Sequence, residues 1–300
     1  MRAAHSPEAC IFRGQPCVRL SLPAGDQVLV ALHGAQVVSW LTADGCERLY
    51  LSPQSVFDGM QPIRGGVPLC FPQFNQRVLA NQPLAKHGFA RTQPWAVQFP
   101  APGLHAEEAR CEVLLVLNDN AETLAQWPHA FAASVTVRLE PGRLQIQFEV
   151  ENTGATPWPF ALALHTYLQV DGIRDCTLHG LDQRAFWDAV DHLETPDVVS
   201  TQANQALSFS GETDRVYGDI TAPLVVQHAG GTVQLTQSAS LPDVVVWNPG
   251  ASRCAALGDM PPDGYQHMLC VEAACINTPV LLAPGQRWRG WQQLKVVPAV

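Results

Sequence analysis

Short apolar runs, separated by proline and glycine, recur along this chain and restrict it to a β-rich fold. Its 300 residues include 24 prolines and 22 glycines. Both residues are unfavourable inside helices, but they commonly lie in turns between strands. The intervening runs alternate apolar and polar residues or are rich in β-branched ones, which is typical of strands. The predicted strands are Gln27–Val30, Gln36–Trp40, Glu112–Leu117, Phe131–Leu139, Leu144–Val150, Leu162–Val170, Leu224–Gln227, Thr232–Thr236, Val244–Trp247, Met268–Val271, Val280–Leu282 and Trp288–Val297.

This spacing of strands predicts an all-β fold, a large antiparallel β-sandwich. Pro141-Gly142 lies between two predicted strands and indicates a hairpin. Helical periodicity is scarce, and Gln183–His192 is the segment in which we expect a turn or two of helix. The sequence has neither a low-complexity linker nor an internal repeat, so we predict a single domain over residues 1–300.

Composition excludes several classes of protein. Apolar residues make up 47% of the chain and charged residues 15%, which indicates a large core rather than disorder. A net charge of −9 argues against nucleic-acid binding. The first thirty residues do not resemble a signal peptide, and the longest apolar stretches, such as Phe160–Leu164, are too short to span a membrane. Nine cysteines without a CxxC pair indicate reduced thiols, so we expect a cytoplasmic protein.

Acidic residues are absent from residues 59–106, although the chain has 27 of them in all. The same segment contains the cations Arg64, Arg77, Lys86 and Arg91. A pocket wall that meets an anion explains this pattern, because guanidinium groups match phosphate or carboxylate and neighbouring acids would neutralise them. Chance depletion of acids in a loop-rich stretch explains it equally well.

Motifs for several common activities are missing. The chain has no GxSxG elbow, no HExxH, no GxxxxGK[ST] and no GxGxxG, which argues against the simplest hydrolases, zinc proteases and nucleotide-binding folds. Asp188, Asp191, His192 and Glu194 lie close together in sequence. No second set of ligands has recognisable spacing, so we interpret them as a solvated acidic face and predict no metal site.

Two candidate catalytic residues lie in predicted strands. His165 shares a strand face with Ala163 and Tyr167. Glu272 lies in the apolar run Cys270–Ala274, and a buried carboxyl group tends to have a raised pKa, as a general base requires. A core histidine with satisfied hydrogen bonds and a buried ion pair are the structural alternatives. Phe71, Phe74, Phe89 and Trp95 could line a sugar site, although packing explains each of them singly.

Taken together, six segments resemble the hexose-6-phosphate mutarotases (glucose-6-phosphate 1-epimerases) of the aldose 1-epimerase superfamily. They are IRGGVPLCFPQF from Ile63, KHGFAR from Lys86, ALHTYL from Ala163, GETDRVY from Gly211, VVWNPG from Val245 and CVEAA from Cys270. The resemblance implies a galactose mutarotase-like β-sandwich (a supersandwich) that interconverts the α and β anomers of aldose 6-phosphates. It also implies that neither a metal nor a cofactor is needed.

The resemblance assigns roles to individual residues. It implies that His165 is the general acid and Glu272 the general base. It places Arg64, Lys86, His87, Arg91 and Asp214 at the substrate, with Asp214 holding sugar hydroxyls. Lys86 departs from the family, which commonly has Gln there, and its role stays open between a second cation for the phosphate and a side chain that reaches solvent. Gly250 stands where an aromatic residue is often found. We therefore expect a sugar phosphate as the small-molecule partner, and a monomer that binds neither nucleic acid nor membrane.

Two other functions stay open at this point. An aldose 1-epimerase acting on unphosphorylated sugars would use the same acid and base, and the acid-free cationic segment favours a phosphorylated ligand over it. A non-catalytic carbohydrate-binding sandwich would need stacking aromatic residues but no buried glutamate facing a histidine. A purely structural β-sandwich is the least favoured alternative.

Overall fold

The computed structural model describes residues 7–76, 84–98, 110–190 and 199–297. Strands dominate these residues. They are β1 Glu8–Phe12, β2 Gln15–Ser21, β3 Gln27–Ala31, β4 Gln36–Leu41, β5 Leu69–Cys70, β6 Ala96–Gln98, β7 Cys111–Asn118, β8 Phe131–Glu140, β9 Arg143–Asn152, β10 Trp158–Leu164, β11 Tyr167–Gln169, β12 Thr177–His179, β13 Ala185–Asp188, β14 Val199–Thr201, β15 Leu207–Ser208, β16 Thr213–Tyr217, β17 Leu224–His228, β18 Gly231–Gln237, β19 Asp243–Asn248, β20 Met268–Leu282 and β21 Arg287–Val297. The α-helices are α1 Ala121–Gln126 and α2 Gly250–Ala255, and short 3₁₀ turns span Ala90–Thr92, Ile173–Asp175 and Gly264–His267.

The strands form three antiparallel sheets, which confirms the all-β prediction. The first has the order β1-β2-β3-β4. The second has the order β14-β13-β16-β19-β20-β10-β5, and β11 continues alongside β20. The third has the order β15-β12-β17-β18-β21-β9-β8-β7-β6. One buried core cluster takes residues from all three sheets, for example Val28, Phe148 and Val271.

Most predicted strands are confirmed within a few residues of their ends. The hairpin at Pro141-Gly142 is also confirmed, because Leu139 pairs with Leu144 across it. The strand predicted over Leu162–Val170 is divided, since β10 ends at Leu164 and β11 begins at Tyr167.

The helix predicted over Gln183–His192 is wrong for the residues that the structure describes. Residues 185–188 form β13, which pairs with β14 on one side and β16 on the other. Phe186 and Trp187 are buried there, so pairing and packing in a sheet outweigh the weak helical periodicity. Asp191 and His192 lie outside the described residues.

The pattern of buried residues along the strands differs between the two large sheets. In β7, β8 and β9 of the third sheet, every second residue is buried, so one face meets the core. All six residues of β19 and the first nine of β20 are buried, so both faces of the second sheet are covered there. One of those faces packs into the main core, and the other carries the candidate active site.

Two further findings bear on the sequence predictions. The nine cysteines all lie in described segments, and no disulfide bond links any of them. No helix in the described part of the chain is long and apolar enough to cross a membrane.

Candidate active site

The register of four strands brings His165 and Glu272 together. Val216 of β16 pairs with Val245 of β19, and Val245 pairs with Glu272 of β20. On the other side of β20, Ala273 pairs with Leu164 and Cys270 with Tyr167. The same register places His165 opposite Glu272, between those two pairs. Directly opposed residues of antiparallel strands have side chains on the same face, so an imidazole and a carboxyl group meet although 107 positions separate them in sequence.

The two side chains are close and shielded from solvent. Nδ1 of His165 lies 3.3 Å from Oε1 of Glu272. His165 is 8% exposed and Glu272 is 1% exposed. Within the described residues, Nδ1 of His165 and Oε2 of Glu272 have no hydrogen-bond partner. Buried polar atoms without partners are costly, so their presence here indicates a site prepared for a ligand.

Aromatic rings fix the orientation of His165. Its ring stacks on Tyr167, with centroids 4.8 Å apart and planes at 9°. The rings of His87 and Trp247 meet it edge-on, at 5.5 Å and 6.0 Å. The backbone N–H of His165 donates to the carbonyl of Pro68 at 2.9 Å. These contacts hold the imidazole in one position against the cavity.

Burial shifts the pKa values of the pair in opposite directions. Burial, and then the positive charge of Arg64, lower the pKa of His165 well below its usual value. Burial, and then the charge of Asp214, raise the pKa of Glu272 well above its usual value. Both shifts favour the uncharged pair, a neutral imidazole beside a protonated carboxyl group.

The His87 turn closes one side of the site. Nδ1 of His87 accepts a hydrogen bond from the backbone N–H of Asn75 at 3.1 Å, so the proton of the neutral ring lies on Nε2. Burial, and then the proximity of His165, lower the pKa of His87 and keep it neutral. Gln73 Nε2 donates to the carbonyls of Asn75, Leu84 and Ala85, at 3.0–3.2 Å, and so holds the turn in place.

A cavity of about 370 Å³ opens above the pair. Its lining includes six of the seven residues that the sequence assigned to catalysis or binding, namely Arg64, Lys86, His87, His165, Asp214 and Glu272. Phe74 lines it as well. Phe71, Phe89 and Trp95 belong to the main core instead, as their packing alternative predicted.

The cations of the acid-free segment have different positions. Nε of Arg64 donates to Asp259 Oδ2 at 3.1 Å and its Nη1 to the Tyr167 hydroxyl at 3.0 Å, so this guanidinium is held in place at the cavity. Arg91 is not among the lining residues, and its Nη2 donates to the backbone carbonyl of Lys86 at 2.7 Å. Arg77 lies outside the described residues.

The carboxyl group of Asp214 faces the same cavity from β16. Burial raises its pKa to about 6, against the lowering effect of the charges of Lys86 and Arg253. Asp214 is therefore mostly ionised at neutral pH, whereas burial favours the protonated form of Glu272.

Comparisons with known proteins identify the family of this chain. The family model for aldose 1-epimerase matches residues 16–295. The chain belongs to the aldose 1-epimerase family. Among its relatives, a protein from Cenchrus ciliaris is 35% identical over 277 residues, covering 90% of this chain and 81% of the relative. A protein from Escherichia coli K12 is 35% identical over 246 residues, covering 81% and 78%. Both are provisionally named glucose-6-phosphate 1-epimerases.

Solved structures of the aldose 1-epimerase fold superpose well on this one. A Salmonella typhimurium protein, provisionally described as a mutarotase, has a TM-score of 0.85 at 27% identity, covering 98% of this chain and 94% of that one. A galactose mutarotase-like protein from Clostridium acetobutylicum has a TM-score of 0.76 at 14% identity, with 98% of both chains covered. The second likeness concerns the fold alone. Together they confirm the predicted galactose mutarotase-like β-sandwich.

The sequence analysis did not identify one cation at the cavity, Arg253. Arg253 lies on α2, lines the cavity, and has its Nη1 3.6 Å from Oε1 of Glu212. The backbone N–H of Gly250 donates to the side chain of Asn248 at 2.9 Å at the start of that helix. A cation three residues after the Trp247–Gly250 motif was the available signal, but only the fold shows that α2 faces the cavity.

Three buried side chains at the site are of types that bind metal ions. The ligand atoms of His165, Cys270 and Glu272 lie within 4.8 Å of one another, the one such group among the described residues. The acidic cluster considered from sequence differs, because Asp188 pairs with Arg215 at 3.5 Å and its other members lie outside the described residues.

Proposed function

We propose that this protein interconverts the α and β anomers of a hexose 6-phosphate, with glucose 6-phosphate as the first candidate. The observation that carries the proposal is the buried His165–Glu272 pair at the base of a sugar-sized cavity with cations at its wall. The provisional names of the relatives support the choice of substrate.

The chemistry requires one proton to leave a sugar oxygen as another arrives. Opening a cyclic hemiacetal removes the proton of the C1 hydroxyl and protonates the ring oxygen O5. Glu272 takes the first proton and His165 supplies the second, each contributing roughly 10²–10⁴-fold to the rate. The aldehyde then rotates about C1–C2, and the two residues exchange roles as the ring closes on the other face.

The uncharged pair already holds the proton that this mechanism needs. A neutral His165 with a protonated Glu272 has the same number of protons as an imidazolium with a carboxylate. Moving one proton across the 3.3 Å gap converts the first form into the second. The pKa shifts favour a neutral resting pair. Substrate binding then has to favour the charged form.

The remaining polar residues suit the two ends of a sugar phosphate. Asp214 accepts hydrogen bonds from ring hydroxyls. Arg64, Lys86 and Arg253 supply positive charge at the cavity for the phosphate. Arg91, a predicted substrate residue, supports this end through the backbone carbonyl of Lys86. We expect a monomer in the cytoplasm, as predicted from sequence.

Glu272→Gln tests the assigned base. NMR saturation transfer between the anomers of glucose 6-phosphate should show catalysed exchange in the wild type and a loss of at least about 100-fold in the variant. Glu112→Gln, which changes an ion-paired glutamate of the third sheet, is the control and should keep wild-type exchange. Near-normal exchange in Glu272→Gln, with an intact fold by circular dichroism, would reject the proposal.

The epimerase of unphosphorylated sugars is the second candidate, and the family assignment alone is compatible with it. Cations at the cavity favour the phosphorylated substrate. Comparing kcat/KM for glucose and glucose 6-phosphate separates the two, since equal values would remove phosphate from the proposal. A carbohydrate-binding protein without activity would leave the uncatalysed exchange rate of both sugars unchanged.

A further inference from the structure

Three side chains of different chemistry converge at the base of the cavity. Glu272 and Cys270 are two residues apart on β20 and therefore project from the same face. His165 lies across from Glu272, in the short link between β10 and β11. The imidazole nitrogen, thiol sulfur and carboxyl oxygen lie within 4.8 Å of one another.

This set of atoms matches a coordination sphere for zinc. Zn²⁺ binds imidazole nitrogen, thiolate sulfur and carboxylate oxygen, commonly in a tetrahedral arrangement with bonds of about 2.0–2.3 Å. Such bonds place neighbouring ligand atoms about 3.5 Å apart. The His165–Glu272 separation of 3.3 Å already fits, and a ligand atom of Cys270 lies within 4.8 Å of both. His165 and Glu272 line the cavity, so the site is reached from there.

The unpaired polar atoms supply a second, independent observation. The side chains of His165 and Glu272 are 10% and 1% exposed. Nδ1 of His165 and Oε2 of Glu272 have no hydrogen-bond partner in the described part of the chain. A bound cation would satisfy both atoms at once, and Asp214 adds a further negative charge nearby. Arg64 and Lys86 oppose the cation, so coordination by all three ligands is required to retain it.

We propose that His165, Cys270 and Glu272 form a zinc-binding site that switches the enzyme off. On binding, the Cys270 thiol and the Glu272 carboxyl group release their protons to solvent, and the metal occupies the lone pairs that would otherwise accept a proton from the sugar. No electron transfer is involved. The metal is an inhibitor here, so the reaction itself still needs none. Inhibition rests on the proposed function, whereas binding does not.

Cobalt tests binding without any assay of activity. Co²⁺ added to metal-free protein should produce the intense sulfur-to-cobalt charge-transfer absorption of a thiolate ligand. Cys46 is exposed, so all proteins should carry Cys46→Ser to remove that thiol. The absorption should disappear in Cys270→Ala and persist in Cys275→Ala, which changes a buried cysteine on the same strand whose side chain packs in the main core. If Cys270→Ala does not fold, Cys270→Ser replaces it.

Zinc titration of anomer exchange tests the switch. Zn²⁺ should lower the wild-type exchange rate at least tenfold, and EDTA should restore it. Cys270→Ala should keep its exchange rate in the same Zn²⁺, whereas Cys275→Ala should be inhibited like the wild type. Absence of the cobalt absorption in the Cys46→Ser protein that keeps Cys270 overturns the site. Equal zinc sensitivity of Cys270→Ala and the wild type, or binding without inhibition, overturns the switch. A metal-free wild type without exchange instead rejects the proposed function, and the cobalt result stands apart from it.

Discussion

At the scale of single residues, the site separates two carboxyl groups by their surroundings. Glu272 is buried beside His165, and burial raises its pKa well above the usual value, which favours the protonated form. Asp214 is close to Lys86 and Arg253, which oppose the effect of burial, and its pKa is about 6. Two carboxyl groups with different protonation states can carry different roles in one cavity. We propose that Glu272 handles the proton and that Asp214 accepts hydrogen bonds from the substrate.

Asp214→Asn tests the second role through its dependence on pH. Above pH 6 Asp214 is ionised and accepts charge-assisted hydrogen bonds, so the wild type should exceed the variant about tenfold in kcat/KM. As the pH falls below 6, Asp214 gains a proton and the ratio of wild type to variant should approach one. Ionisation of the substrate phosphate affects both proteins equally and cancels in the ratio. A ratio that is constant between pH 5 and pH 8 would contradict this role.

Arg253→Ala tests the cation that sequence reasoning missed. The arginine lines the cavity, and its nearest acid lies 3.6 Å away, which leaves donors for a phosphate. Loss of one charge-assisted contact should raise the KM for glucose 6-phosphate roughly tenfold or more, with little change for glucose. Arg174→Ala is the matched control, because Arg174 lines an adjoining cavity of about 300 Å³ and not this one. Equal effects of Arg253→Ala on both sugars would remove it from phosphate binding.

At the scale of elements, the turn at His87-Gly88 requires a conformation that few residues adopt. His87 has φ of +66° and Gly88 has φ of +69°. A Cβ atom on Gly88 would lie 2.2 Å from the carbonyl oxygen of Phe71, so the turn packs directly against the backbone. Gln73 holds the same turn through three carbonyl groups. The glycine is what allows His87 to approach His165.

Gly88→Ala and Gly142→Ala form a matched pair. Gly142 also has positive φ, at +62°, but a Cβ atom added there would meet nothing within 4 Å. Gly142→Ala should therefore lower the free energy of unfolding by about 1–2 kcal/mol, the cost of the left-handed conformation alone. Gly88→Ala adds the backbone clash and should cost more, and it should also reduce anomer exchange. Urea unfolding of both variants measures the difference, and equal costs would mean that the turn relaxes freely.

Strands were predictable where apolar and polar residues alternate, and were less predictable elsewhere. The alternation in Phe131–Leu139 and Leu144–Val150 is regular, and both strands are found with the hairpin between them. β1 and β5 escaped prediction because β1 is mostly exposed and β5 has two residues. The helix over Gln183–His192 was predicted wrongly because Phe186 and Trp187 pair with strand residues distant in sequence.

At the scale of the whole molecule, the active site lies on the second face of a sheet whose first face belongs to the main core. Val271 and Ala273 point into that core, while Glu272 between them points to the cavity. The same strand therefore contributes to stability and to chemistry. Placing an ionisable group in such a strand lowers stability, a cost that is frequent at functional sites.

Glu272→Gln should reveal that cost as a change of stability with pH. The raised pKa of folded Glu272 means that the folded protein holds this proton more tightly than the unfolded chain. The contribution of Glu272 to stability is thus present at low pH and is lost as the pH rises above the usual carboxyl range. Glutamine does not titrate, so the free energy of unfolding of the variant relative to wild type should rise between pH 4 and pH 8. A pH-independent difference in urea unfolding would contradict the assigned burial effect.

The candidate active site was only partly predictable from the sequence, because strand pairing brings its residues together. The types of His165 and Glu272 within apolar strands marked them as candidates, but their proximity follows from the pairing of β10 and β20 across the sheet. The resemblance to a known family supplied that proximity in advance. Arg253 belongs to a six-residue helix, and nothing local in the sequence shows which cavity such a helix faces.

Strand pairing positions the proposed acid and base, whereas a turn and a short helix carry Lys86 and Arg253. Exchanging those two connecting segments should alter recognition of the phosphate while the proposed proton-transfer residues stay in place. A single-residue insertion in β20 before Glu272 would instead turn the carboxyl group towards the hydrophobic interior. Activity should then be lost on every substrate.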